Sequence, residues 1–134
     1  MSDARFELLK AMRLAMLGDT GLAAMITGVS DPAPRGGAYP FVTFGDVRTT
    51  PQDGDQPPTL EHQVEVWVYS RAKGRWEVSQ IADTVRALLD DAALSLSGHD
   101  LIDIRHRDTE VAPTRDRHGF RARLRFRAVT ARST

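Results

Sequence analysis

The most informative absence in this sequence is cysteine, because the 134 residues contain none. A disulfide framework and a thiolate metal site are therefore excluded, and the absence is consistent with a protein made in the cytosol. No apolar run approaches the roughly 20 residues that a membrane-spanning helix needs, and the first residues lack the apolar stretch of a signal peptide. We therefore expect one domain over residues 1–134, with no membrane partner.

Lysine is also scarce, since only Lys10 and Lys73 are present and arginine carries almost all of the positive charge. The formal net charge is zero, but residues 105–132 contain nine arginines and only three acidic residues. The rest of the chain has nine basic and fifteen acidic residues. This polarity predicts a basic surface opposite an acidic one. Arginine suits two-point contacts with carboxylate or phosphate, although a high-GC coding sequence would produce the same preference.

The centre of the chain combines a strand with a helix. Residues 60–69 alternate strictly, which is typical of a half-buried strand. Its apolar face consists of Leu60, Val64, Val66 and Val68. After Gly74, the predicted helix N-cap, apolar residues recur at helical spacing, and these are Val78, Ile81, Val85, Leu88 and Leu89. We expect this helix to cover the apolar face of the strand.

The remaining pattern completes a small mixed fold. Two helices are predicted over residues 3–17 and 21–26, and further strands over residues 39–49, 99–111 and 120–129. The order is therefore α-α-β-β-α-β-β. Two hairpins and a packing helix predict an α+β fold, with a mostly antiparallel four-stranded sheet and the helices packed on one face.

A polar segment with three prolines, residues 50–58, joins two of these strands and predicts a hairpin with a long mobile tip. A tip longer than about five residues is either tolerated slack or a contact arm. The candidate contact-arm residues are Thr50, Gln52, Asp53 and Asp55. Asp53-Gly54-Asp55 lacks the further ligands of a calcium loop. At the other end of the chain, residues 130–134 are predicted to be a frayed polar tail.

The sequence contains no recognisable catalytic motif. Neither a Gly-x-Ser-x-Gly elbow nor a Ser-x-x-Lys sequence is present. The four histidines, at positions 62, 99, 106 and 118, do not fall at metal-ligand spacing, so we expect ordinary surface side chains. The sequence therefore predicts no enzyme activity, no metal site and no cofactor.

Alternation in the last strand produces a row of arginines about 20 Å long on one face. This arginine row consists of Arg121, Arg123, Arg125 and Arg127. It can pair with Glu61 and Glu65 in the same sheet, meet an acidic surface of a neighbouring subunit, or contact nucleic-acid phosphates. Trp67 and Tyr69 lie on the strand face opposite the valines. Their size indicates that another element of the chain or another subunit covers part of that face.

Several segments together resemble the tail terminators of long non-contractile phage tails, a family of tail-completion proteins with relatives in the gene-transfer particles of some alphaproteobacteria. The order and spacing of the segments carry the resemblance, which extends over nearly the whole chain. The segments are Leu8–Gly21, Tyr39–Gly45, Val64–Arg71, Gly74, Ile81–Leu89, Ser97–Ile102 and the arginine-rich last strand. These are structural signatures, so the resemblance implies no enzyme activity and no cofactor.

The resemblance implies an α+β subunit that assembles into a hexameric ring. Such a ring ends the tail tube and joins the tail to the head, while DNA passes through its lumen without sequence specificity. The implied partners are other copies of the chain, the tail tube protein and a head-completion or stopper protein. The implied location is the head-proximal end of the tail, in a virion or gene-transfer particle assembled in the bacterial cytoplasm.

We hypothesise that one face of the sheet forms a subunit interface or lines the lumen. The residues assigned to it are Arg121, Arg123, Arg125, Arg127, Glu61, Glu65, Trp67 and Tyr69. The alternative function is a small nucleic-acid-binding module that uses the arginine-lined face of the sheet.

Overall fold

The computed structural model describes residues 3–34, 38–52 and 58–133. The helices are α1 (Ala4–Leu17), α2 (Thr20–Ala23) and α3 (Trp76–Leu89). The strands are β1 (Val29–Ser30), β2 (Phe41–Gln52), β3 (Thr59–Ser70), β4 (His99–Pro113) and β5 (Phe120–Arg132).

The strands form one five-stranded sheet in the order β1-β2-β3-β5-β4. The pairs β2–β3, β3–β5 and β4–β5 are antiparallel, whereas β1 runs parallel to β2. The predicted α+β class is confirmed, but the prediction of four strands was wrong. The fifth strand, β1, is only two residues long and lies in a segment without the alternation that reveals a strand.

The core lies between the sheet and the helices, as the central strand and helix predicted. The buried apolar stripe of α3 consists of Val78, Ile81, Val85 and Leu89. The helix contacts β3, β4 and β5. On β3, the core side chains are Val64, Val66 and Val68. The helix α1 adds Leu8, Met12 and Met16 to the same cluster. In the part of the chain that the structure describes, no helix therefore packs on the opposite face of the sheet.

Three predicted boundaries need correction. Arg75, without a side-chain cap, precedes the first residue of α3, so Gly74 is not the N-cap. The strand β2 continues to Gln52, which places Thr50 and Gln52 in a paired strand instead of the hairpin tip. Likewise, β5 continues to Arg132, so residues 130–132 belong to the sheet and not to a frayed tail. The predicted tip residues Asp53 and Asp55 lie outside the described residues.

His62 was expected at the surface, and this expectation was wrong because its side chain is fully buried. The ring joins three strands: Nδ1 lies 2.8 Å from Thr49 Oγ1 on β2, and Nε2 lies 2.9 Å from Thr130 Oγ1 on β5. A neutral imidazole has one donor and one acceptor, which two hydroxyl groups can satisfy together. Burial lowers the pKa of His62, so the neutral ring is favoured. The alternation of β3 could have revealed this position, since residue 62 shares a face with Leu60 and Val64.

Candidate functional site

The sheet face opposite the helices carries most of the charged side chains of the sheet, and we call it the charged face. The strand β5 runs through it between β3 and β4. Alternate residues of β5 are buried towards the helices, namely Ala122, Leu124, Phe126 and Ala128. The arginine row therefore points to the charged face, as the alternation predicted.

On one side, the arginine row pairs with acids of β3. Arg127 Nε donates to Glu61 Oε2 at 2.7 Å, and this hydrogen bond lowers the pKa of Glu61. Arg123 Nη1 lies 3.9 Å from Glu65 Oε2. Pairing with Glu61 and Glu65 inside the sheet, the first of the three interpretations, is therefore present in the subunit.

On the other side, the row pairs with acids of β4 that the sequence did not single out. Arg125 Nε donates to both carboxylate oxygens of Asp108, at 2.9 and 3.0 Å, and Arg125 Nη2 bonds to the same carboxylate. This contact lowers the pKa of Asp108 and raises the pKa of Arg125. Glu110 lies 3.5 Å from Arg123 Nη2 and 3.8 Å from Arg121 Nη1.

Asp108 and Glu110 were missed for a geometric reason. The register of β4 against β5 is interrupted between His106 and Asp108. A bulge adds one residue and so exchanges the faces of all residues that follow it. Without the bulge, Asp108 would share a face with His106, which contacts the core residue Phe126. Instead, Asp108 and Glu110 reach the charged face.

Trp67 and Tyr69 lie at the end of the charged face where β5 begins. Their rings stack with centroids 6.1 Å apart, and the Phe41 ring stacks on Tyr69 at 5.1 Å. The guanidinium carbon of Arg121 lies 4.8 Å from the centre of the Trp67 ring. Burial raises the pKa of Tyr69. The chain itself therefore covers a large part of these two rings, which remain half-buried.

A groove of about 560 Å³ crosses the charged face near the bulges of β2 and β4. Four carboxylates and four guanidinium groups line it: Asp46, Glu61, Glu65, Asp108, Arg48, Arg107, Arg125 and Arg127. Because opposite charges are present in equal number, the groove has no charge excess to attract a polyanion. This observation does not favour a nucleic-acid-binding module that uses the arginine row.

The described part of the predicted contact arm is tied to the sheet. Thr50 pairs with Glu61, and its side chain is exposed. Gln52 pairs with Thr59 and accepts a hydrogen bond of 2.7 Å from its hydroxyl group. Both residues lie on the charged face at the end where β2 stops.

Among the described residues, no group of three or more histidine or acidic side chains is arranged to hold a metal ion. Within the same residues, no helix combines the length and the apolar character needed to span a bilayer. The contacts that the charged face shows are ion pairs and hydrogen bonds.

Comparison with known proteins gave a family match and matches to solved structures. The family model described as tail completion protein gp17 matches residues 10–131. A solved chain from a structure titled "Virion of native gene transfer agent (GTA) particle" superposes with a TM-score of 0.87 and is 23% identical. The alignment covers 97% of this chain and 98% of that chain. The search of curated proteins found no match.

Proposed function

This chain belongs to the family of tail completion protein gp17, and from that premise we propose that it forms the ring that ends a tail tube. The family is one of structural phage tail proteins. The observation that carries the proposal is the extent of the match, because residues 10–131 include every strand of the sheet except the last residue of β5.

In this proposal, six copies form a ring at the head-proximal end of the tail of a virion or gene-transfer particle assembled in the bacterial cytoplasm. One side of the ring contacts the tail tube protein, and the other contacts a head-completion or stopper protein. DNA passes through the lumen without being read by sequence. The chain acts by assembly and catalyses no reaction.

A head-to-tail ring needs two different, complementary surfaces on each subunit. One candidate is the outer edge of β4. The outward backbone groups in the middle of β4 already have partners, because Asp91 N–H donates to the Ile104 carbonyl and His106 N–H donates to the Asp90 carboxylate. Beyond the bulge, the backbone N–H and C=O groups of Thr109 and Val111 point away from β5, because successive residues of an antiparallel strand direct these groups to alternate sides. None of the described strands pairs with these outward groups, so they can hydrogen-bond to a strand of another molecule.

The second candidate surface is the outer edge of β2. The strand β1 covers only Val42 and Thr43, which leaves the rest of β2 without a strand neighbour among the described residues. The strand order makes β2 and β4 antiparallel to each other, so β2 of one copy can extend the sheet of the next through β4. Arg48 on β2 would then share a face with Asp108 and Glu110 of its neighbour, and cross-strand pairs of opposite charge are stabilising.

A sheet extended in this way presents one face to the lumen and keeps the helices outside. We assign the charged face to the lumen or to the contacts between subunits, with the arginine row, Glu61, Glu65, Trp67 and Tyr69 on it. Thr50 and Gln52, together with Asp53 and Asp55 beyond them, are assigned to a contact arm for a neighbouring copy or the tube. The nearly balanced charge of this face suits a surface over which DNA must slide without being held.

Native mass spectrometry of the purified chain, with and without tail tube protein, tests the ring. We expect six copies in one complex when the tube protein is present. The substitution Thr109→Pro removes one outward N–H group and should prevent the ring while leaving the ladder to β5 intact. The matched control Thr109→Ala keeps the N–H and should form the ring. A wild-type chain that stays monomeric beside the tube protein would contradict the proposal, and a ring formed by Thr109→Pro would contradict edge pairing.

A further inference from the structure

Two loops meet at the end of the sheet where β3 stops and β5 begins. They are residues 71–75, between β3 and α3, and residues 114–119, between β4 and β5. A Cβ atom on Gly119 would lie only 2.0 Å from the Ser70 carbonyl oxygen, so the two chain segments touch through their backbones. Arg71 Nη1 also lies 3.3 Å from Asp116 Oδ2. We call this pair of segments the basic loops.

The basic loops hold a concentrated excess of positive charge. Their cationic side chains are Arg71, Lys73, Arg75, Arg115 and Arg117. Asp116 is the single acidic residue in the same segments, and it is engaged by Arg71 and by the side chain of His118. Hydrogen bonds from Thr114 and from the backbone of His118 lower the pKa of Asp116 to about 2, so it stays ionised.

This excess differs from the charge of the arginine row. Each guanidinium of the row lies within ion-pairing distance of an acid of β3 or β4. By contrast, Lys73, Arg115 and Arg117 are exposed and have no ion pair among the described residues. This end of the sheet therefore holds several cationic side chains that no acid among the described residues neutralises.

The shape of this end of the molecule also suits an extended, negatively charged ligand. A groove is lined by residues of both basic loops, among them Arg71, Lys73 and Arg117, together with Phe120. The guanidinium carbon of Arg75 lies 4.8 Å from the centre of the Phe120 ring, so Arg75 borders the same surface. Cationic side chains grouped in this way can contact phosphates without reading the bases.

We propose that the basic loops bind the phosphate backbone of double-stranded DNA without sequence preference. Long, exposed cationic side chains on two loops suit a smooth line of phosphates, since sequence-blind contacts require charge and little shape. The choice of DNA over an acidic protein rests on the proposed function, in which DNA passes through the ring. The acidic neighbour Glu77 does not cancel the excess, because it is half-buried and accepts a hydrogen bond from Ser70 Oγ at 2.6 Å.

Fluorescence anisotropy with a short labelled duplex, measured over a series of salt concentrations, tests the site. For the full chain, we expect the logarithm of the binding constant to fall with the logarithm of salt concentration, with a slope of about −3 to −4. The triple variant Lys73→Glu/Arg115→Glu/Arg117→Glu should bind about 100-fold more weakly and lose about three units of that slope. Far-ultraviolet circular dichroism of the variant verifies that it is folded.

The matched control Arg5→Glu/Lys10→Glu/Arg86→Glu makes the same change in net charge elsewhere on the surface, and its affinity should stay within about threefold of the unsubstituted chain. Equal losses in both triple variants, an unaffected loop variant, or no binding by the unsubstituted chain would each overturn the proposal. Tighter binding of polyglutamate than of DNA, lost in the loop variant, would also overturn it and identify an acidic protein as the partner. Native mass spectrometry of the loop variant with tube protein measures ring formation independently of DNA binding. Failure of the proposed DNA site would therefore leave the proposed ring untouched.

Discussion

Particles assembled with the double variant Arg123→Glu/Arg125→Glu are expected to have unterminated tails that do not join heads, although the subunit itself still folds. The two side chains lie in the middle of the arginine row on the charged face, which we assign to the lumen or to the contacts between subunits. In the proposed ring of six copies, reversing both charges would place twelve new negative charges around the ring. Electron microscopy of tail length and of head joining measures this outcome.

The fold should survive the double reversal because the ion pair of Arg125 with Asp108 is exposed and Arg123 and Glu65 keep partial exposure, 28% and 20% of their side chains. Arg125 and Asp108 have side-chain exposures of 51% and 43%. An exposed pair contributes about 0–1 kcal/mol. With like-charge repulsion added, we expect the free energy of unfolding to fall by about 2–3 kcal/mol, which leaves most of the roughly 5–15 kcal/mol of a typical domain. Urea unfolding of the purified variant measures the loss.

A compensated variant separates assembly from pairing within the subunit. Adding Asp108→Arg and Glu110→Arg to the double reversal restores opposite charges across β4 and β5 while moving the positive charge to the neighbouring strand. The quadruple variant should regain part of the lost stability, since position 123 still faces Glu65 and position 110 still faces Arg121. It should still fail to terminate tails, because the partner surface meets the wrong pattern of charge. Full termination by this variant would mean that the row acts only inside the sheet.

The substitution Gly119→Ala is expected to lower the free energy of unfolding by about 2–3 kcal/mol. The new Cβ would lie 2.0 Å from the Ser70 carbonyl oxygen and 3.1 Å from Arg71 Cα, and neither backbone atom can move without displacing β3 or the basic loops. Urea unfolding monitored by circular dichroism gives the change in the free energy of unfolding.

Gly74→Ala is the matched control for this substitution. No atom lies within 4 Å of the position that its Cβ would take, so the free energy of unfolding should change by less than about 0.5 kcal/mol. If Gly119→Ala is as stable as Gly74→Ala, the close contact between the two basic loops does not exist in solution.

Local periodicity was enough to predict the central elements and the direction of the arginine row. Apolar residues recur every second position over residues 60–69 and at helical spacing after Gly74. Both patterns involve only neighbouring residues, so they can be recognised from the sequence alone. The family resemblance, which depended on the order of such segments, is confirmed by the match over residues 10–131. The ring, its lumen and its partners stay predictions.

Features that depend on distant residues or on irregular backbone could not be predicted in the same way. Asp108 pairs with Arg125 because β4 lies beside β5 and because a bulge shifts its register. The two-residue strand β1 exists only through its pairing with β2. The burial of His62 depends on Thr49 and Thr130 from two other strands. Arg115 and Arg117 were counted within the arginine-rich residues 105–132, and residues 71–75 were not linked to them, since only the fold brings residues 71–75 next to residues 114–119.

The measurement that bears most directly on the central claim is a reconstruction of the assembled particle at the junction between tail and head. The account predicts a single ring of this subunit at the head-proximal end of the tube, with the charged face towards the lumen or in the contacts between subunits. A complete junction in which the tube ends without this subunit would contradict it.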